Sequence, residues 1–536
     1  MYTKIFSKPG PHITYVLALF FLLFQACQKS DQEISPSQAQ VKVSVWVGEP
    51  EQDRITLASN KTIRRSSDQV IQNAEIKLDK GTSLEVSLVQ ASQGSLIGGS
   101  TQSASDGISK SAAASVRKPL TEGVKYRVAV YSEQGNYLES HDYTYGSGDP
   151  SETFPLNAGE TYTFVAYSVN SETDLPQIDN RSTLSAAGLK DVSGELMYFK
   201  KTLKLGVGNN DLSVVLQHQF SQMTTVIEMD DSMTGSIETI QGMQVSSSKS
   251  NATLKFSDGS ISYPQGNVNA NVIFPSIIAG SRSIESEPTV LISPETSTAT
   301  IKIGSLRIDS ETKTDISIPK VKITPGHRYT LVLRFKTCSE DVTADGMNWR
   351  YAQTSWKEGW TTYTGIYKAD EGKYYKNNQV IRNTFVAPQA NYGFQFDITE
   401  LDNAFNLQVN GQYIFKNSDQ EQIQFETAPS LKIERNIQFV DGSEYTVGGI
   451  DQVYNMKGTL SAPLIRILIS RNGEVTMLGS KTNGGPLFPL KLKGNLKFNK
   501  VLWDSAGKNT VVVTQKVAGR TIIVGKGSGK KRISCK

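Results

Sequence analysis

The side chains best suited to hold a ligand are aromatic. Trp349, Trp356 and Trp360 fall within a dozen positions, joined by Tyr351, Tyr363, Tyr367, Tyr374 and Tyr375, in a chain with five tryptophans. Such rings offer a flat apolar face and a polar edge, so Trp349, Trp356, Trp360 and Tyr363 form a candidate platform for sugars or other flat apolar faces. The alternative is a domain junction that packs these rings inward. That reading is preferred because Cys338 ends a strand-like run just before them. Groups for covalent chemistry are sparse. Of the four histidines (His12, His141, His218 and His327), none stands at ligand spacing from another, and there is no CxxC. No metal and no cofactor are therefore expected. His141 and His218 read as strand residues. No nucleophile elbow, P-loop or dinucleotide fingerprint occurs. With 52 acidic residues, carboxylate pairs are too common to nominate a glycosidase. The chain is not expected to be an enzyme. Asp397, Glu400, Asp402 and Asn403 carry donors suited to calcium, but their spacing is not that of an EF-hand, and they read as a solvated loop.

The cysteines are Cys27, Cys338 and Cys535. Tyr15 to Phe24 (YVLALFFLLF) is a run of ten apolar residues behind Lys4 and Lys8, with Gln25-Ala26-Cys27 at its end. That is a signal peptide, and it is too short to span a bilayer, which takes roughly 20 residues. Cys27 behind this run resembles the bacterial lipobox, although Phe24-Gln25 departs from its strict form. The resemblance implies a diacylglycerol on the Cys27 sulfur, an acyl chain on its amino group, and anchorage in the outer membrane. Gln28 to Gln40 is polar and reads as a leash. Within it, Lys29, Ser30, Asp31 and Glu33 resemble the export signal of surface-exposed lipoproteins of Bacteroidetes. Outside the cytoplasm the remaining pair, Cys338 and Cys535, is expected to form a disulfide that ties the C-terminal tail to the middle of the chain.

Composition and periodicity point to an all-β protein. Apolar residues alternate with period two in Gln40–Val47, Ala74–Leu78, Ser83–Val89, Gly123–Tyr131 and Ala158–Tyr167. The 536 residues are too many for one core. The reading is a signal at 1–26, a linker at 27–40, β-sandwiches at 41–170 and 171–338, an aromatic-rich connector at 339–379 and a C-terminal β domain at 380–536. Ala91 to Ser115 lacks any period and reads as a mobile loop. Gly-x-x-Tyr followed by an alternating strand recurs at Gly123/Tyr126, Gly159/Tyr162, Gly326/Tyr329 and Gly442/Tyr445, as expected for several sandwich domains. Asn410-Gly411 and Asn472-Gly473 each lie between alternating runs and predict hairpins of a sandwich or jelly roll. The glycine-rich, basic tail from Gly525 to Lys536 reads as a flexible solvated end. A net charge of +4 and the lack of a basic patch give no case for nucleic acid.

YRVAVYSEQGNYLESHDYTYG, LNAGETYTFVAYSVNSETDLP, GELMYFKKTLKL, LSVVLQHQFSQMTTVIEM and ITPGHRYTLVLRF follow one another in order. This succession, over about residues 40–338, resembles the fimbrillin-like (Mfa-like, type V pilin) lipoproteins of Bacteroidetes. The resemblance implies two transthyretin-like sandwiches and a place as pilus shaft, anchor or tip. It also implies association with other pilus subunits by donor-strand addition. Gln40 to Val47 would be the strand removed on assembly, and Arg64-Arg65 a conceivable cut site. Asp231-Ser232-Met233 and Asp504-Ser505-Ala506 resemble the O-glycosylation pattern of Bacteroidetes, which makes Ser232 and Ser505 candidate acceptors. FNLQVNGQYIF is similar to the edge hairpin of lectin-like sandwiches. Two functions follow: a surface-anchored fimbrillin-like pilus or adhesion component, or a surface lipoprotein that binds glycans through its C-terminal domain.

Overall fold

A computed structural model describes residues 38–48, 69–90, 117–147, 153–231, 233–417, 420–427 and 433–535. Cys27 and the signal peptide lie outside the described residues, as do the leash up to position 37, Arg64-Arg65, Ala91 to Ser115 and Ser232. The chain is all-β, with 59% of it in strands, and it is built as tandem β-sandwiches. No α-helix occurs among the described residues.

The first sandwich is one long sheet with strand order 117–118, 38–48, 208–218, 197–204, 161–168, 125–132 and 137–144; strand 154–157 also pairs with 38–48. The sheet curls, so strands from both ends share one core. Val41, Val43 and Val45 pack with Tyr126, Val128, Tyr143 and Phe164. The middle strands are covered on both faces. Tyr126, Val128 and Val130 enter that core, whereas Ala129 and Tyr131 enter a second one beneath a three-stranded sheet formed by 188–192, 252–255 and 261–262. Alternation along a strand sends successive side chains to opposite faces.

The second sandwich faces the sheet 283–285, 221–229, 328–337, 82–90, 69–77 against the sheet 268–271, 237–248, 296–308, 311–323. Ile227, Leu331, Leu333 and Leu88 meet Ile301, Ile303, Ile316 and Ile318 between them. Both sandwiches share a topological feature. The opening strand Gln38–Gly48 runs parallel to Gly208–His218, and Ser221–Met229 runs parallel to Arg328–Thr337. Sheet membership does not follow chain order, because the hairpin 69–90 joins the second sandwich, with Thr82–Gln90 paired to Arg328–Thr337.

The C-terminal domain packs a seven-stranded sheet (339–351, 521–532, 393–401, 465–469, 475–480, 487–492, 437–439) on a five-stranded one (380–388, 508–516, 404–409, 412–413, 423–424). Asn410 and Gly411 both adopt positive φ, 48° and 86°, as a two-residue hairpin of the predicted kind requires. Two sequence expectations are corrected here. The tail is not a flexible solvated end, since Thr521–Arg532 lies inside the seven-stranded sheet, between Ser339–Tyr351 and Gly393–Leu401. Its glycines at period two are close-approach sites. A Cβ on Gly527 would come within 2.8 Å of Phe394 and 3.0 Å of Phe385, and one on Gly529 within 2.7 Å of Ala387. Nor do Asp397 and Glu400 sit in a loop. They belong to strand Gly393–Leu401, where Asp397 is buried beside its cross-strand partner Arg466.

Candidate functional site: an aromatic arm and a charged seam

Residues Thr354–Lys376 form a separate three-stranded sheet: Thr354–Glu358, Thr361–Lys368 and Lys373–Lys376. Trp356 stands opposite Tyr363, Tyr367 opposite Tyr374, and Gly365 opposite both Thr354 and Lys376. Directly opposed residues share a face. Trp356, Tyr363, Tyr367, Tyr374 and Lys376 therefore project from the outer face, with Gly365 between them. Ile366 and Lys368 alternate to the inner face and are buried against the C-terminal domain.

The outer rings form a row. Trp356 stacks on Tyr374 with centroids 4.6 Å apart, Tyr374 meets Tyr367 at 4.8 Å, and Trp356 meets Tyr363 at 6.1 Å. Lys376 closes one end, its ammonium 3.4 Å from the Tyr363 ring centre. Glu358 fixes both neighbours, accepting from Trp356 Nε1 at 3.0 Å and pairing with Lys376 at 2.8 Å. Lys376 holds the Glu358 carboxyl below the usual glutamate range. Trp360 follows Gly359 in the hairpin turn and is fully exposed, at 104% of the reference area, while Tyr367 and Tyr374 are each 45% exposed.

The arm is pinned at its base. The Lys368 ammonium, 4% exposed as a residue, reaches Asp370 at 2.8 Å and Glu371 at 2.5 Å. Burial opposes its charge, but the two carboxylates outweigh burial and keep Lys368 well above the ordinary lysine value. Tyr351 donates to Asp370 and Tyr375 to Glu371.

The structure divides the aromatic set read from the sequence. Trp349 lies in strand Ser339–Tyr351, 5% exposed within the C-terminal core, so it packs inward as a junction residue would. Trp356 and Tyr363 stand on the outer face and Trp360 at its tip. Tyr367 and Tyr374 complete the row. The signal for Tyr367 was the period-two run Tyr363-Gly365-Tyr367, which marks one face of a strand, whereas Tyr374 joins it only across the strand pairing. Ser505 is exposed in a turn whose amides at Ala506 and Gly507 both donate to Asp504.

Cys338 and Cys535 are joined by a disulfide, with Cα atoms 5.3 Å apart and a sequence separation of 197. It lies on the seam between the second sandwich and the C-terminal domain. There the amides of Cys338 and Cys535 donate to Gly81 and Lys80 at 3.0 and 2.7 Å. Beside it Glu311 pairs with Arg532 and Arg471, each at 2.6 Å, and with Lys313 at 2.7 Å. Asp79 pairs with Arg532 and Lys313. Burial works against the charge on Asp79, yet Lys313 and the Gly81 amide bring its carboxyl down to about 2. A cavity of about 700 Å³ opens over these groups. Deeper in the seam, Arg282 donates to the carbonyls of Met233, Gly235 and Asp230. No group of histidine, cysteine, aspartate or glutamate among the described residues is arranged to hold a metal.

No protein-family model matches this chain, and no curated protein matches it. Solved structures do. A Bacteroides fragilis protein provisionally assigned to cell adhesion aligns with 52% of this chain and 94% of its own at 11% identity, with a TM-score of 0.29. The fimbrial anchor protein Mfa2 from Porphyromonas gingivalis aligns with 42% of this chain and 86% of its own at 11% identity and a TM-score of 0.27. A Bacteroides uniformis protein, also provisionally assigned to cell adhesion, aligns with 40% and 86% at 13% identity and a TM-score of 0.27.

Proposed function

We propose that this chain is a non-catalytic fimbrial or adhesion component of the bacterial surface, delivered to the outer membrane by lipid on Cys27. The observation that carries this reading is the opening strand of the first sandwich. Gln38–Gly48 contributes Ala39, Val41, Val43, Val45 and Val47 to one core, and pairs in parallel with Gly208–His218 over ten residues. It is also the first described strand after the leash. Its departure would leave a groove lined by apolar residues and an unpaired strand edge, which a strand from a neighbouring subunit fits. The ordered strand set over residues 40–338 supports the same reading by its resemblance to fimbrillin-like proteins.

Two measurements test it. Detergent-free surface extracts should contain filaments or multimer ladders that include this chain; monomer alone would exclude a polymerising subunit. Fractionation of a Cys27→Ser variant should find folded protein in the soluble fraction. Retention in the membrane fraction would remove the lipid anchor from the proposal.

A further inference from the structure

We propose that the outer face of the arm Thr354–Lys376, together with Trp360 at its tip, is a binding surface for uncharged polysaccharide. This deepens the adhesion reading by naming what the surface grips, and it rests on that reading for its placement outside the cell.

Three observations carry it. First, the surface is aromatic without being aliphatic. Trp356, Tyr363, Tyr367 and Tyr374 are interspersed with Gly365 and Lys376, and the aliphatic Ile366 points the other way, into the core. A stable protein interface buries about 800 Å² per partner, and these strands of five, eight and four residues present a face of only about 400 Å². A sugar ring presents a small patch of C–H groups edged by hydroxyls. That pattern matches rings with polar tips, such as the exposed Tyr367 and Tyr374.

Second, the face is neutral. Its two charged groups, Glu358 and Lys376, pair with each other at 2.8 Å. The seam cavity provides a contrast, because Arg471, Arg532 and Lys313 outnumber Asp79 and Glu311 there. On this face the cation an anionic ligand would meet is Lys376, already paired with Glu358, because Lys357 and Lys373 alternate to the other face.

Third, the arm is held rigid although it projects. Stacked rings order its outer side, and Lys368 with Asp370 and Glu371 orders its base. Ordering before contact lowers the entropic cost of binding. The line from Trp360 to Tyr367 is roughly 23 Å at the usual strand rise, so it suits a chain of several sugar rings better than a single sugar.

Affinity electrophoresis of the full-length, detergent-solubilised protein tests the proposal. The gels contain dextran, yeast mannan, starch, galactomannan or arabinoxylan, with heparin as the anionic comparison. At least one neutral polymer should retard the protein. Trp360→Ala combined with Tyr367→Ala should weaken that retardation at least tenfold, whereas Leu502→Ala, an exposed apolar residue elsewhere in the same domain, should not. Both arm positions are exposed enough that thermal unfolding should show the double variant folded. Lack of retardation by every neutral polymer, retardation by heparin alone, or undiminished retardation of the double variant would each overturn the proposal. Multimer ladders are read on the native protein and on the same variant. In the variant, lost sugar binding with an intact ladder supports the arm as the binding surface; in the native protein, sugar binding without a ladder counts against the fimbrial reading alone.

Discussion

A carboxyl group that loses its water on folding resists ionisation unless cations replace the water. Asp309 shows the consequence. It is 3% exposed in the seam, and burial raises its pKa to about 6, against the weaker pull of Arg471 and Arg282. Asp402, half-buried among backbone amides, is raised to about 6 in the same way, chiefly by loss of water around it. Because the native carboxyl holds its proton more tightly than the unfolded one, its stabilising contribution is complete below about pH 4 and is lost as pH rises through 6. Asp79 has the opposite sign. Its carboxyl is lowered to about 2, so its contribution is present above about pH 4 and is lost as pH falls through 2. Asp309 also sits at φ 52°, a left-handed conformation that asparagine tolerates. Asp309→Asn should therefore keep the backbone and remove the titration. Thermal unfolding from pH 4 to 7.5 should give a flatter curve for the variant than for the native chain, with a gain at pH 7.5 on the order of 2 kcal/mol. Parallel curves would show that Asp309 does not titrate in this window.

At the level of elements, the arm depends on one missing side chain. Gly365 occupies the middle of its central strand, and a Cβ there would lie 1.9 Å from the carbonyl oxygen of Tyr375. Gly365→Ala should push the strand Lys373–Lys376 away and separate Trp356 from Tyr374. Near-UV circular dichroism should lose the signal of the stacked pair, and trypsin should cut at Lys373 or Lys376. The melting temperature of the domain core should fall by no more than a few degrees, because only Ile366 of this strand enters that core. An unchanged aromatic signal would mean that the strands tolerate the methyl group. The same elements show what was legible in the sequence and what was not. Period-two alternation revealed the strands, and Asn-Gly revealed its hairpins, because both are local. Tyr363 and Tyr367 were visible as one face, but their neighbour across the sheet, Tyr374, becomes adjacent only through strand pairing. Trp349 lies seven residues from Trp356 yet points into the core, since clustering in sequence does not specify a face. The tail misled because alternating glycines look like a linker. Their role is set by Phe385, Phe394 and Ala387, more than 130 positions away, which occupy the space their side chains would need.

At the scale of the molecule, the chain is stitched at a distance. The hairpin 69–90 leaves the neighbourhood of the first strand and pairs with Arg328–Thr337. Alternation tells which face of a strand is apolar but not which strand lies beside it, so this crossing was not readable from the pattern alone. The hairpin turn then accepts hydrogen bonds from Cys338 and Cys535, and Asp79 within it pairs with Arg532. The disulfide thus closes a triangle of early hairpin, second sandwich and C-terminal sheet. A covalent link across 197 residues restricts the unfolded chain far more than it changes the folded one, and such links contribute about 2–5 kcal/mol. The ion pairs around Glu311 and Asp79 cannot substitute for it, because partly exposed pairs contribute up to about 1 kcal/mol each. Cys535→Ser should accordingly lower the unfolding temperature and broaden or divide a single calorimetric transition, as the C-terminal domain loosens from the second sandwich before either melts. Reducing the native protein should reproduce the variant's trace, and reducing the variant should change nothing further. If the variant melts with the native protein, the strand pairing and buried seam alone hold the domains together, and the bond that joins the chain's last strand to its middle is dispensable for stability.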